Sequence, residues 1–153
     1  VLQWEVLFYL FVGAAGMYKL IRTFTINPAT ALVTAISYMC CGFITDCVSM
    51  IPWITSAAYL PFAFLFFYRL LRKPELKTAL KFSIALSLLF TAGYPSFFIY
   101  SLYGMLAGFI VWMIQNRKTE QRFKPRLLYL VTAGFASLLI CGPAILSWMD
   151  FFS

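Results

Sequence analysis

Long apolar stretches, each near the ~20 residues that one membrane crossing requires, alternate along this chain with short polar or proline-bearing breaks. The pattern predicts six helices, over about 4–22, 28–41, 52–71, 74–91, 95–115 and 125–148. Prolines mark their starts. Asn27-Pro28 reads as an N-cap followed by proline at the first helical position, where the missing N–H costs nothing. Pro52, Pro74, Pro95 and Pro125 open four further helices in the same way. Gly42 is expected to stop the second helix, which is short for a span, and residues 43–51 then form a loop that carries Asp46. Glu75 falls in the first turn of the fourth helix, where the helix dipole favours an acid. Gly93-Tyr94 and the polar stretch 116–124 separate the last three helices.

Two prolines fall inside helices. Pro61 predicts a bend in the third, because it cannot donate to the carbonyl of Ala57. Ser56 or a neighbouring helix is expected to relieve that loss. Gly142-Pro143 is expected to break or bend the sixth. The fold class is therefore all-α: a polytopic membrane bundle of about six transmembrane helices, one domain over 1–153. The apolar pattern is under way by Trp4, and the chain stops just past a helix at Ser153, so the segment reads as an internal piece of a longer protein. Residues 1–11 show neither the basic region nor the small-residue cleavage site of a signal peptide.

Composition narrows the class. Hydrophobic residues make up 63% of the chain and charged ones 11%. Soluble domains hold about 45–50% and about 25%. A typical cytosolic enzyme, a disordered tail and a fibrous repeat are excluded.

Charge supplies the orientation. With six alternating spans, all twelve basic residues fall on or near one side, in the segments around 69–81 and 116–126 and at Lys19 and Arg22. Glu75 and Glu120 accompany them, whereas Glu5, Asp46 and Asp150 fall on the other side. The positive-inside rule then places 69–81 and 116–126 in the cytoplasm and Asp46 and Tyr94 outside. The net charge of +7 is explained by topology and by attraction to anionic membrane lipid, not by nucleic acid.

Few residues can carry chemistry. Histidine is absent, which excludes Ser-His-Asp and Cys-His arrangements within the segment. Gly13-x-x-Gly16 and Gly104-x-x-x-Gly108 lie in apolar helices and are not phosphate loops. The second is a GxxxG pattern, read as internal packing ahead of a dimer face. Cys40, Cys41, Cys47 and Cys141 contain no CxxC pair and fit no zinc site. Cys40, Cys41 and Cys141 read as small buried residues, while Cys47 could bridge to Cys40 or Cys41. The outer side gathers Glu5, Asp46 and Asp150 with Trp4, Trp53, Tyr94 and Trp148. The plain explanation is an interfacial aromatic belt. The functional one is an outward cavity in which a carboxylate takes a proton from a sugar hydroxyl or holds a divalent cation. Asp46 and Asp150 are the candidate catalytic acids, and Tyr94, Trp53 and Glu5 the candidate substrate contacts.

Several segments carry a family resemblance. Gly16-Met17-Tyr18-Lys19-Leu20-Ile21-Arg22 resembles a segment of the GT-C glycosyltransferase superfamily with glycine, aromatic and basic residues at a helix end. Ala58-Tyr59-Leu60-Pro61-Phe62, followed by Tyr68-Arg69-Leu70, resembles a helix of its YfhO-like bacterial membrane proteins. Ala92-Gly93-Tyr94-Pro95-Ser96 stands where those proteins carry a glycine-histidine-proline-glutamine turn, with Tyr94 in place of the histidine. Leu139-Ile140-Cys141-Gly142-Pro143 resembles their next proline-bearing helix end. The resemblance implies a bacterial cytoplasmic-membrane enzyme. It would transfer a sugar from a polyprenyl-phosphate carrier to an acceptor on the outer side, with its usual catalytic acid upstream of Val1. No Lys or Arg falls on the outer side, so the leaving phosphate would need a cation or residues beyond this segment. A transporter or flippase segment for a lipid-linked substrate, or a structural membrane subunit, is the alternative from another class.

Overall fold

A computed structural model describes residues 2–46, 50–92, 95–115 and 123–152. Its elements are α1 (Leu2–Ile21), α2 (Pro28–Met39), α3 (Gly42–Asp46), α4 (Ile51–Arg72), α5 (Leu76–Thr91), α6 (Pro95–Gln115) and α7 (Phe123–Phe152). Six of them match the expected helices, and α3 is an added turn of five residues.

The punctuation behaves largely as its chemistry dictates. Asn27 caps α2 by accepting the Ala29 amide at 2.9 Å, with Pro28 next to it. Pro52 and Pro95 lie in the first two positions of α4 and α6. Pro74 stands outside α5, and Glu75 is its N-cap residue, not a first-turn acid. Gly42 does not stop α2. The helix ends at Met39 because the Cys41 amide turns to the carbonyl of Tyr38, three residues back. Gly42 instead begins α3, so the expected loop is partly helical. Nor is α7 broken. It passes through Gly142 and Pro143 as one helix of 30 residues, since a single missing N–H is tolerated in membrane-type helices.

Pairwise contacts fix the directions. Tyr9 meets Tyr59, Gly13 faces Ala58, Gly16 faces Phe62 and Phe24 meets Tyr68, so α1 and α4 run parallel. Gly104 and Gly108 face Phe64 and Phe67, so α6 runs with them. Ser83 and Ser87 reach Ala133 and Ser137, so α5 and α7 are parallel to each other. Arg126, near the start of α7, reaches the carbonyls of Leu71 and Arg72 at the end of α4, so the two sets are antiparallel. Lys19, Arg22, Arg69, Arg72, Lys73, Lys77, Lys81 and Arg126 therefore share one end of the bundle. Glu5 and Asp46 lie at the other, together with the backbone of Asp150.

Helix α4 is the hub, packing against α1, α5, α6 and α7. Leu65 and Leu70 from α4 and Leu89 from α5 are fully buried. The α1–α4 seam is close because of glycine. A methyl at Gly16 would lie 2.7 Å from the Phe62 ring. The GxxxG pair of α6 faces Phe64 and Phe67 of α4 but stays exposed, with a methyl at Gly104 falling 3.0 Å from Phe64. The α5–α7 seam is polar. The Ser83 hydroxyl lies 2.9 Å from the carbonyl of Ala133, and Ser87 lies 3.4 Å from that of Ser137. Interhelical hydrogen bonds of this kind contribute about 0.6 kcal/mol each in membrane bundles.

The outward faces remain apolar: Trp4 is 77% exposed, Phe11 70% and Phe135 63%. Such a surface needs lipid or protein around it. Among the described residues, four helices are long and apolar enough to cross a membrane, namely α1, α4, α6 and α7. Helices α2 and α5 have 12 and 16 residues. At 1.5 Å per residue they reach about 18 and 24 Å, short of a ~30 Å hydrocarbon core.

Candidate functional site

Proline 61 shows how the bundle handles a polar debt. Its ring removes the N–H that the carbonyl of Ala57 would otherwise accept. The hydroxyl of Tyr38, from α2, donates to that carbonyl at 2.7 Å. A neighbouring helix thus supplies the partner, while Ser56 turns to the carbonyl of Pro52 at 2.8 Å. Helix α4 continues unbroken through this point.

At the acidic end, Asp46 is the last residue of α3 and is exposed. Glu5 is exposed in the first turn of α1. Trp53 is half-buried in the first turn of α4. The parallel course of α1 and α4 brings Glu5 and Trp53 to one end, and the short connection to α4 holds Asp46 there too. The backbone of Asp150 reaches the same end through α7, but its side chain lies outside the described residues, as does all of Tyr94. The expected cavity joining Asp46, Tyr94 and Asp150 therefore falls partly outside them. Among the described residues, no three Cys, Asp or Glu side chains converge on a point that could hold a metal ion. Cys47 is likewise outside the described set. Cys141 is buried as expected, Cys41 is half-buried, and Cys40 is exposed because the turn after Met39 directs it outward.

Midway along the bundle lies a lateral cleft between α1, α4 and α5. Its volume is about 280 Å³, and its wall is built from Val12, Tyr59, Phe62, Phe66, Ile84 and Leu88. Tyr59 is held by an edge contact with Tyr9, ring centroids 6.2 Å apart. Lys81 lines the same cleft from the basic-end half of α5. Aromatic walls at this depth suit a branched apolar chain. Sequence patterning missed this cleft, because its aromatic residues read as ordinary packing until Gly13 and Gly16 bring α1 down onto α4.

Arg126 was legible only as one more basic residue near the cytoplasmic side. It is in fact buried. Its Nε donates to the carbonyl of Leu71 at 2.6 Å, its second nitrogen lies 3.4 Å from that of Arg72, and its guanidinium stacks 4.8 Å from the Trp112 ring. It caps the C-terminus of α4, where a cation is favoured by the helix dipole.

The fold defines an all-helical bundle with helices fit to cross a membrane. No family model, curated protein or solved structure matches the chain.

Proposed function

We propose that this chain is the membrane-embedded part of a glycosyltransferase that takes its sugar from a polyprenyl-phosphate carrier. The observation that carries the reading is the aromatic-walled cleft between α1, α4 and α5, whose apolar lining would suit an isoprenoid chain. The resemblance of the segments around Tyr18, Tyr59 and Tyr94 to YfhO-like GT-C proteins supplies the reaction class. In this reading the acceptor binds at the acidic end, where Asp46 deprotonates its hydroxyl. That oxygen forms a new bond to the anomeric carbon as the bond to the lipid phosphate breaks, and the phosphate leaves with the bonding pair. Asp150, Glu5, Trp53 and Tyr94 contribute to the acceptor side. The phosphate charge is met by a divalent cation or by residues beyond this segment. Basic residues at the opposite end face the cytoplasm of a bacterial cell.

The test is sugar transfer by the full-length protein in vesicles supplied with a polyprenyl-phosphate-linked sugar. Asp46→Asn is expected to lower kcat by a factor on the order of 10²–10⁴, the span of a general base. Unchanged transfer would remove that role from Asp46. Carrier lipid crossing the vesicle membrane with no sugar transferred would replace the enzyme reading by a flippase.

A further inference from the structure

The basic end of the bundle holds more than a scatter of charge. Between the α1–α2 turn, the end of α4 and the start of α5 lies a crevice of about 530 Å³. Arg69, Arg72 and Lys73 line it against a single carboxylate, Glu75, with the hydroxyl-bearing Thr23 and Thr78 across from them. Two other cations nearby are committed elsewhere. The Arg22 guanidinium donates to the carbonyl of Ile26 and ties the α1–α2 turn. Arg126 covers the Leu71 and Arg72 carbonyls, which reduces the negative end of the α4 dipole beside the crevice. Helix α5 begins at the crevice, and Glu75, its N-cap residue, makes no side-chain capping bond. Its first amides add to the positive potential there.

Tyr68 connects this crevice to a second space. It lines the crevice on one side, under the Arg72 guanidinium at 4.7 Å. On the other side it lines an apolar groove of about 310 Å³ between α1, α4 and α6. The groove is walled by Phe24, Phe64, Phe67 and Trp112, and its floor is hollow because Gly104 and Gly108 carry no side chains. It opens to the side of the bundle. A polar, cationic chamber and an apolar lateral groove thus meet at one tyrosine ring.

The geometry points to a bound anionic glycerophospholipid of the leaflet at the basic end. Its phosphodiester head lies in the Arg69–Arg72–Lys73 crevice, and one acyl chain lies in the α1–α4–α6 groove. Charge complementarity selects the head and the apolar glycine-floored groove selects the chain. An inorganic phosphate has no use for the groove, and a zwitterionic lipid, whose choline cation offsets its phosphodiester, gains less from the crevice. This site is separate from the lateral cleft and from the acidic end, and it does not depend on the sugar-transfer reading.

The experiment measures retained lipid by native mass spectrometry of the full chain released from detergent. Dioleoylphosphatidylglycerol is the probe and dioleoylphosphatidylcholine its neutral counterpart. The anionic lipid is expected to be retained about 25-fold more than the zwitterionic one, since the three crevice cations less the Glu75 carboxylate leave two net positive charges, each favouring an anion by about a factor of five. Arg69→Gln combined with Arg72→Gln is expected to erase that preference. Lys77→Gln removes one charge at the same end but outside the crevice, and is expected to leave the preference within about twofold. Gly108→Leu places a side chain in the groove from a Cβ at ordinary contact distance, 3.5 Å from Phe67. It is expected to lower retention of the dioleoyl lipid while leaving that of a dihexanoyl phosphatidylglycerol unchanged. Circular dichroism melts of each variant without lipid, matching the parent, show that the fold is intact. Equal losses from Lys77→Gln and the double arginine variant, or displacement of the lipid by millimolar inorganic phosphate alone, would overturn the site.

Discussion

Replacing Arg126 by alanine is expected to destabilise the bundle by about 1.5–3 kcal/mol, the range for hydrogen bonds made by a charged group. The loss has three sources. The carbonyls of Leu71 and Arg72 lose their donor at the end of the hub helix. The Trp112 ring loses a cation 4.8 Å from its centre. The tie between the end of α4 and the start of α7 disappears. Arg126→Lys keeps the charge but not the planar fork or the stacking, so it is expected to recover less than half of the loss. Reversible unfolding in mixed micelles, titrated with a denaturing detergent, reads both values. A wild-type midpoint for Arg126→Ala would show that water at the membrane edge replaces the side chain without cost.

Tyr38→Phe is expected to cost about 1–2 kcal/mol, because it leaves a carbonyl without a donor in the interior. Ala57 is 2% exposed, so water does not readily replace the hydroxyl. The origin of that need is Pro61, which gives the experiment a sharp control. In a Pro61→Ala background the new amide can serve the carbonyl of Ala57 through the ordinary helical bond. Tyr38→Phe should then cost less than about 0.5 kcal/mol, so the two changes are coupled in a double-mutant cycle. Additive losses would mean that the hydroxyl at 2.7 Å acts through something other than the proline gap.

Much of this architecture was legible because its signals are local. Asn27-Pro28 announces a helix start through its own backbone chemistry, and the structure forms that cap at 2.9 Å. The need of the Ala57 carbonyl follows from Pro61 alone. The identity of its donor does not, since it depends on which helix lies beside α4. At Gly142-Pro143 a break is absent for a related reason: a proline marks a missing bond, but the surroundings decide whether the helix breaks. Gly42 misled because α2 had already ended through the turn at Cys40 and Cys41. The length of a crossing was only partly readable, and α2 and α5 fall short of a full span.

Function was less legible than fold. The acids Glu5 and Asp46 could be placed at one end from charge alternation, and the helices do carry them there. The spaces that could hold a ligand are made by close approach between helices distant in sequence. Gly13 and Gly16 draw α1 onto α4 and leave the cleft at Tyr59. Gly104 and Gly108 hollow the groove that meets Tyr68. Arg126 looked like one of twelve cations, and only burial distinguishes it from the solvated ones.

The sugar-transfer reading requires one orientation, with the acidic end outside and the basic end against the inner leaflet. The direct measurement is single-cysteine labelling in intact cells on a background in which Cys40, Cys41, Cys47 and Cys141 are replaced. A cysteine at position 46 should react with a membrane-impermeant maleimide, and one at position 77 should react only after the cells are opened. Labelling at 77 with none at 46 in intact cells would invert the bundle and contradict the sugar-transfer reading.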